Sequence, residues 1–210
     1  MLANIRILFR ILSFFCMAFV YYGSKVAWLL VDLQNDFVDK ERGTLSKAAN
    51  GLVIWAINLT TWIAEKLGWL IIFSKDWHPD DTSHFKQWPK HCVAGTWGAM
   101  IHPRIYVPEN AIFVYKGTKD GEDGYSAEDA RTDEGHGIAC FDLIKAHRIN
   151  VVVTAGAYLD FCVKATDISL IKNFFVTYLL SFATCPVNFY SPEDGDKTTA
   201  ELKAIGAKVV

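Results

Sequence analysis

The stretch VAWLLVDLQNDF at residues 26–37 decides the fold. Its first half, residues 26–31, is a short, continuous apolar run, and its second half begins with the carboxylate of Asp32. A strand that is apolar on both faces is typical of a parallel sheet covered by helices on both sides. The segment therefore predicts a buried parallel strand that ends at Asp32.

Further apolar runs and helical patterns alternate along the rest of the chain. Runs that predict strands occupy residues 69–73, 111–115, 150–155, 174–180 and 208–210. Helical spacing of apolar residues covers 46–66, and shorter helices are predicted near 137–147, 162–172 and 198–205. This alternation favours an α/β fold with three layers (αβα) and a mostly parallel, Rossmann-like sheet. The polar stretch at 74–110 is long and rich in Trp, His and Pro, which is typical of a functional loop.

The composition is that of a folded globular chain. Of 210 residues, 51% are hydrophobic and 21% are charged, which excludes disordered, collagenous and coiled-coil proteins. A formal net charge of -2 leaves no basic excess with which to neutralise phosphates, so we expect no nucleic-acid partner. The 5 cysteines are irregularly spaced and show no disulfide pattern, which favours a reducing, cytoplasmic location.

Residues 1–24 are interpreted as an apolar leader and residues 25–210 as the folded domain. Residues 11–22 form an almost unbroken apolar run behind Arg6 and Arg10. The run resembles a signal-peptide core, but it is shorter than the roughly 20 residues that span a bilayer, and Tyr21 and Tyr22 make a poor cleavage site. An extra buried element or a leader outside the fold is favoured over targeting or membrane association, and these alternatives stay open.

Polar residues follow several of the apolar runs. Ligands of open α/β sheets bind beyond the carboxyl ends of the strands, and this chain places Asp32, Asp76, Lys116 and, after a short turn, Cys162 there. Asp32 can accept the thiol proton, while a helix N-terminus and Lys116 are expected to lower the pKa of Cys162. Each residue alone has an ordinary explanation as a cap, a solvated lysine or a core cysteine. Their coincidence at strand ends predicts a nucleophilic site.

A second cluster follows the second predicted strand. Asp76 and His78 are two residues apart, so an extended backbone points both side chains to one side, and His84 and His91 come later in the same loop. Three imidazoles and a carboxylate suit one divalent ion such as Zn²⁺, Fe²⁺ or Mn²⁺. Histidines satisfied by hydrogen bonds are the alternative. Cys92 is a less favoured ligand because the side chains of neighbouring residues diverge.

Six segments carry a family resemblance: VDLQNDF at 31–37, DWHP at 76–79, WPKHCV at 88–93, KG at 116–117, YS at 125–126 and DFCVKAT at 160–166. In this order they resemble nicotinamidases (pyrazinamidases), of the isochorismatase-like cysteine hydrolase superfamily. The resemblance implies a six-stranded parallel sheet and a catalytic triad of Asp32, Lys116 and Cys162. It further implies backbone oxyanion donors at Tyr158 and Cys162, metal ligands at Asp76, His78, His84 and His91, and substrate contacts at Phe37, Leu45, Trp88 and Tyr125.

The activity that the resemblance implies is hydrolysis of nicotinamide to nicotinate and ammonia in NAD salvage, through a thioester on Cys162. The family usually has small residues where this chain has Tyr158 and Leu159, which keeps open a related hydrolase of another small carboxamide. A third interpretation, suggested only by the apolar leader, is a catalytically silent, membrane-associated binding protein. A homo-oligomer is compatible with each of these.

Overall fold

The computed structural model describes residues 10, 13–14, 25–46 and 51–210. Its strands are β1 Val26–Val31, β2 Leu70–Asp76, β3 Ile112–Lys116, β4 Val151–Ala157, β5 Val176–Cys185 and β6 Lys208–Val209. They form one sheet in the order β3-β2-β1-β4-β5-β6, and every neighbouring pair is parallel. The chain reverses its direction across the sheet between β1 and β4, which is where ligands bind in doubly wound folds.

Helices cover both faces of this sheet. They are α1 Gly51–Lys66, α2 Cys140–Ala146, α3 Lys164–Lys172 and α4 Asp194–Ala204. Alternate residues of β1 separate the two core layers: Trp28 and Leu30 pack on the side of α1, whereas Ala27 and Leu29 pack on the side of the other three helices. The predicted three-layer α/β fold with a six-stranded sheet is confirmed.

The second strand is longer than its apolar run predicts. β2 continues past Phe73 through Ser74 and Lys75 to Asp76, and these polar residues are buried. The Ser74 hydroxyl donates a hydrogen bond to Asp32, and the Lys75 ammonium lies 4.2 Å from the ring centre of Trp77. Because each polar side chain has a partner, the strand extends three residues into the stretch that the sequence assigned to the loop.

Two later elements also differ from their predicted bounds. β5 runs to Cys185 rather than to residue 180, since both the backbone N–H and the hydroxyl of Ser181 donate to the carbonyl of Val210. α4 begins at Asp194 rather than at residue 198. The Asp194 carboxylate accepts backbone N–H groups at positions 190 and 191, which closes the turn before the helix. The helix predicted over 46–66 is seen from Gly51, because 47–50 lie outside the described residues.

A glycine brings β4 against β1 near the predicted site. Gly156 has a φ of 131°, and a Cβ there would lie 2.1 Å from the carbonyl oxygen of Val31. No other residue can take this position without moving the backbone of β1. The pairing of β4 with β5 shifts register at the same point, between Thr154 and Gly156. β4 therefore stays paired with β1 up to the last residue of β1, where Val31 lies opposite Gly156.

One residue of the apolar leader belongs to the hydrophobic core. Phe14 is fully buried, and its ring lies 6.5 Å from Trp28 and 6.2 Å from Trp69. The side chain of Arg10 donates to the hydroxyl of Ser181 on β5. The domain boundary at residue 24 stays a prediction, and most of the apolar run lies outside the described residues. Among the described helices, none has the length and apolar character needed to cross a membrane.

Candidate active site

Asp32, Lys116 and Cys162 meet at the carboxyl edge of the sheet. Asp32 follows β1, Lys116 ends β3, and Cys162 lies in a π-helical turn, Leu159–Val163, between β4 and α3. The Lys116 Nζ lies 2.8 Å from Asp32 Oδ2 and 3.6 Å from Cys162 Sγ. All three side chains are buried. The structure therefore brings together the three residues that the sequence proposed as a triad.

The backbone around Asp32 is itself unusual. Its φ is 52°, in the left-handed region that residues other than glycine rarely occupy. The Ser74 hydroxyl donates to Asp32 Oδ1 at 2.9 Å, and the Asp32 N–H donates to the Ser74 carbonyl at 3.2 Å. β2 thus holds the carboxylate in place, and strain of this kind clusters at functional sites.

Lys116 separates the pKa values of two carboxyl groups. Its ammonium donates to Asp76 Oδ1 and to the Gly124 carbonyl as well as pairing with Asp32. Burial raises the pKa of Asp32 to about 6, although Lys116 opposes the rise. Burial acts on Asp76 too, but the charge of Lys116 and the adjacent imidazoles of His78 and His91 outweigh it and hold that pKa well below its usual value. Asp32 is therefore the carboxyl suited to exchange protons near neutrality.

The pKa of the Cys162 thiol is raised in the structure, not lowered as the sequence predicted. Burial raises it well above its usual value, Lys116 lowers it, and Asp32 raises it again. The effect of Lys116 has the predicted direction, but the sequence did not reveal how deeply the sulfur lies. The resting thiol is protonated, so a base must remove its proton when substrate arrives.

The three predicted histidine ligands form one cluster. A ring nitrogen of each of His78, His84 and His91 lies within 4.8 Å of the others. Asp76 Oδ2 is 3.7 Å from His78 Nε2 and 3.8 Å from His91 Nε2. Burial and the neighbouring histidines lower the pKa of His84 to about 4, so its imidazole is neutral, as metal binding requires.

The other ring nitrogens of two histidines are already engaged. His78 Nδ1 lies 3.1 Å from the Gly117 carbonyl, and His91 Nδ1 lies 2.7 Å from the Pro89 carbonyl. Each Nδ1 therefore carries the proton, which leaves the Nε2 lone pairs directed into the cluster. His78 Nε2 is buried and has no hydrogen-bond partner among the described residues. Because an ion would satisfy this atom, the residues fit one divalent metal ion.

A pocket lined by aromatic side chains opens above the thiol. Its walls include all four predicted substrate residues: Phe37, Leu45, Trp88 and Tyr125. Trp88 Nε1 donates to the Tyr125 hydroxyl at 2.9 Å, which fixes the two rings relative to each other. Cys162 and two of the clustered histidines line the same pocket. The nucleophile and these two histidines thus face the same space.

Sequence reasoning missed one side of this pocket. Val187 and Phe189 line it from the segment after β5, and Phe189 lies 5.5 Å from Trp88, measured between ring centres. The Asp160 carboxylate accepts the backbone N–H groups of Val187 and Asn188, both at 2.8 Å. Asp160 belongs to a segment that carried the family resemblance, but nothing in the sequence connects it to a segment so far along the chain.

Two further positioning residues were visible in the motifs without an assigned role. The side-chain amide of Gln34 donates to the Asp76 carbonyl at 2.7 Å and accepts the Asp76 N–H at 2.8 Å, which fixes the backbone that carries the carboxylate. A Cβ on Gly117 would lie 2.4 Å from His78 Cε1, so a glycine is needed for the imidazole to fit. Their segments, VDLQNDF and KG, were the available signals.

A buried thiol, a carboxyl base and a lysine at one sheet edge, beside a metal-binding cluster, define a cysteine hydrolase. The sequence matches the isochorismatase domain over residues 26–210. By this match, the chain belongs to the isochorismatase family.

Relatives of the chain include enzymes and solved structures. It is 27% identical to the nicotinamidase of Escherichia coli (strain K12), over 86% of this chain and 92% of that protein. It is 30% identical to the nicotinamidase/pyrazinamidase of Mycobacterium tuberculosis, over 84% of this chain and 92% of that protein. The pyrazinamidase of Pyrococcus horikoshii in complex with zinc superposes with a TM-score of 0.77 at 28% identity, over 89% of this chain and 98% of that chain. PnC1 from L. infantum in complex with nicotinate superposes with a TM-score of 0.76 at 28% identity, over 89% of this chain and 92% of that chain.

Proposed function

We propose that this protein is a metal-dependent cysteine amidohydrolase that converts nicotinamide to nicotinate and ammonia through a thioester. The observation that carries the proposal is the contact of Lys116 with both Asp32 and Cys162, whose thiol lines an aromatic pocket. Relatives named as nicotinamidases, and a similar structure that holds nicotinate, support the substrate. The reaction breaks a carbon–nitrogen bond that is not a peptide bond.

The first half of the reaction forms the thioester. Asp32, whose pKa of about 6 leaves it ionised at neutral pH, takes the proton of Cys162. The thiolate attacks the carboxamide carbon, and the backbone N–H groups of Tyr158 and Cys162 stabilise the oxyanion. Asp32 returns the proton to the amine, ammonia leaves, and the acyl group stays on the sulfur.

The second half hydrolyses the thioester. Asp32 takes a proton from a water molecule, the resulting hydroxide attacks the acyl carbon, and the thiolate leaves and is reprotonated. Lys116 stays protonated throughout, because Asp32, Asp76 and Cys162 raise its pKa well above the usual value despite its burial. Its fixed charge stabilises each anion that forms next to it.

The metal would be held by Asp76, His78, His84 and His91. When bound, a divalent ion would supply a Lewis acid beside the aromatic pocket. The residues of the chain prepare this site, since Gln34 fixes the Asp76 backbone and two carbonyl groups fix the imidazole tautomers.

A second candidate function is hydrolysis of a different small carboxamide by the same mechanism. The Tyr158 side chain, a bulky group, lines the pocket and favours this alternative. We further propose that the enzyme works in the cytoplasm and feeds pyridine nucleotide salvage. The described cysteines, Cys92, Cys140, Cys162 and Cys185, are all unpaired thiols, which is consistent with a reducing compartment.

The test is ammonia release from a panel of small carboxamides, with metal content measured on the same preparation. We expect nicotinamide to give the highest kcat/KM, and about one divalent ion per chain. Preference for another carboxamide by about tenfold or more would replace nicotinamide with that compound. Absence of ammonia release from the whole panel by metal-loaded protein would contradict the proposed class of reaction.

A further inference from the structure

The mechanism uses only the backbone N–H of Tyr158, yet the side chain of this residue also lines the substrate pocket. Tyr158 is buried and lines the pocket beside Cys162. Its hydroxyl lies 2.8 Å from the carbonyl oxygen of Phe37 and 2.7 Å from that of Leu45. Both acceptors are carbonyls, so one proton is shared between two backbone groups.

These two carbonyls mark the ends of a segment that contributes one wall of the pocket. The side chains of Phe37 and Leu45 line the pocket, while residues 40–42 and 44, between them, are exposed. The segment is therefore held at its two ends, and Tyr158 contacts both. Asp36 supports it from below, because its carbonyl accepts the N–H of Leu45 and its carboxylate accepts the N–H of Thr44.

The ring of Tyr158 completes the same wall. It meets the Phe37 ring edge-on at 5.6 Å between centres, and Phe37 lies 5.6 Å from the ring of His91. A chain of packed rings therefore runs from the end of β4 to the metal-binding cluster. Space for a substrate on this side is limited by a side chain that is fixed at its hydroxyl and at its ring.

We propose that Tyr158 is a specificity-determining residue: its ring closes the pocket on the side of Phe37 and Leu45, and its hydroxyl holds that wall in place. The wall admits a flat, unsubstituted heteroaromatic carboxamide and excludes one that carries an additional ring substituent. This inference rests on the proposed hydrolysis of a small aromatic carboxamide and names the feature that limits its substrates.

Two substitutions separate the ring from the hydroxyl. Tyr158→Phe keeps the ring and removes the shared hydrogen bond, so the wall loosens. We expect KM for nicotinamide to rise about three- to tenfold, with kcat changed less, because the triad is intact. Tyr158→Ala removes the ring and opens the wall. We expect its preference for methylated over unmethylated nicotinamide, as a ratio of kcat/KM, to exceed that of the wild type by about tenfold or more.

The experiment compares steady-state kinetics of wild type and both variants on nicotinamide and on nicotinamides methylated at each unsubstituted ring carbon in turn. Tyr106→Phe is the matched control, since it removes a tyrosine hydroxyl that donates to Glu65, and neither residue lines the pocket, so it should match the wild type. A cooperative thermal melt verifies folding. If Tyr158→Ala does not fold, the KM and kcat of Tyr158→Phe for nicotinamide test the inference on their own.

The outcomes are distinct. An altered preference in Tyr158→Ala, or a raised KM with nearly constant kcat in Tyr158→Phe, supports the inference. Folded variants with the wild-type preference and wild-type KM for every compound would overturn it while leaving the proposed function intact. Wild-type protein that releases no ammonia from any carboxamide would overturn the proposed function and this inference together. Wild-type turnover of the methylated compounds at the nicotinamide rate would overturn the inference alone.

Discussion

Replacement of Lys116 by Met tests the electrostatics of the site most sharply. The ammonium is buried and pairs with Asp32 and Asp76, and it lies 3.6 Å from the sulfur of Cys162. Methionine has a similar shape without the charge, so two buried carboxyl groups lose their common cation. Breaking a buried ion pair by removing one partner costs about 3–5 kcal/mol. At about 2–4 °C per kcal/mol for a chain of this size, we expect a loss of roughly 6–20 °C in Tm.

The pH dependence of that loss has a definite sign. Without Lys116, the folded-state pKa of Asp32, which burial already raises to about 6, should lie higher still, since Lys116 opposes that rise. A carboxyl whose pKa is raised on folding binds its proton more tightly in the folded state, so stability falls as pH rises through the folded pKa. The deficit of the variant relative to wild type should therefore be smaller at about pH 5 than at about pH 8.

Activity and thiol reactivity complete the test. We expect kcat to fall by about 10²–10³ or more, because a preorganised charge next to the developing anion is lost. The pH profile of Cys162 alkylation should move to higher pH, since Lys116 lowers the pKa of that thiol. Lys119→Met, at a largely exposed lysine, is the control and should resemble wild type. A variant with wild-type Tm at both pH values and an unmoved alkylation profile would refute the reasoning.

Three further predictions concern the metal cluster and the leader. His78→Ala should lose the divalent ion, because it removes a buried Nε2 that has no other partner among the described residues. The control variant His102→Ala should retain the ion. Equal metal content in the two variants, measured on chelator-free protein, would contradict the ligand assignment. Phe14→Ala should lower the free energy of unfolding by about 3–5 kcal/mol, since the ring is fully buried against Trp28 and Trp69. Removal of residues 1–24 should cost at least as much, and urea unfolding that shows no change would place the leader outside the core.

The sequence predicts a strand end best where an apolar run stops at a functional residue. β1 stops before Asp32, as the hydrophobic pattern indicated, and β3 ends at Lys116, one residue past its predicted run. β2 was predicted too short because Ser74 and Lys75 look like loop residues until their tertiary partners are known. The hydrophobic pattern of a sequence reveals which apolar side chains are buried. It does not reveal polar side chains that are buried with a hydrogen-bond or ring partner inside the protein.

The site shows the same division. Asp32, Lys116, Cys162 and the histidine cluster could be predicted, since each residue type has a characteristic chemistry and the segments occur in a recognisable order. The raised pKa of Cys162 could not, because burial of a single sulfur depends on packing from several elements. Nor could the position of Phe189, which Asp160 fixes through backbone hydrogen bonds to a distant segment.

The most direct test of the central claim is detection of the acyl-enzyme. Wild type, Cys162→Ala and Cys185→Ala are mixed rapidly with nicotinamide, quenched in acid and measured by intact mass, with ammonia release recorded in parallel. We predict a transient adduct with the mass of a nicotinoyl group in wild type and in Cys185→Ala. Cys162→Ala should show no adduct and a rate lower by up to about 10⁶. Ammonia release at the wild-type rate by Cys162→Ala, or a nicotinoyl adduct that persists in that variant, would contradict the assignment of Cys162 as the nucleophile.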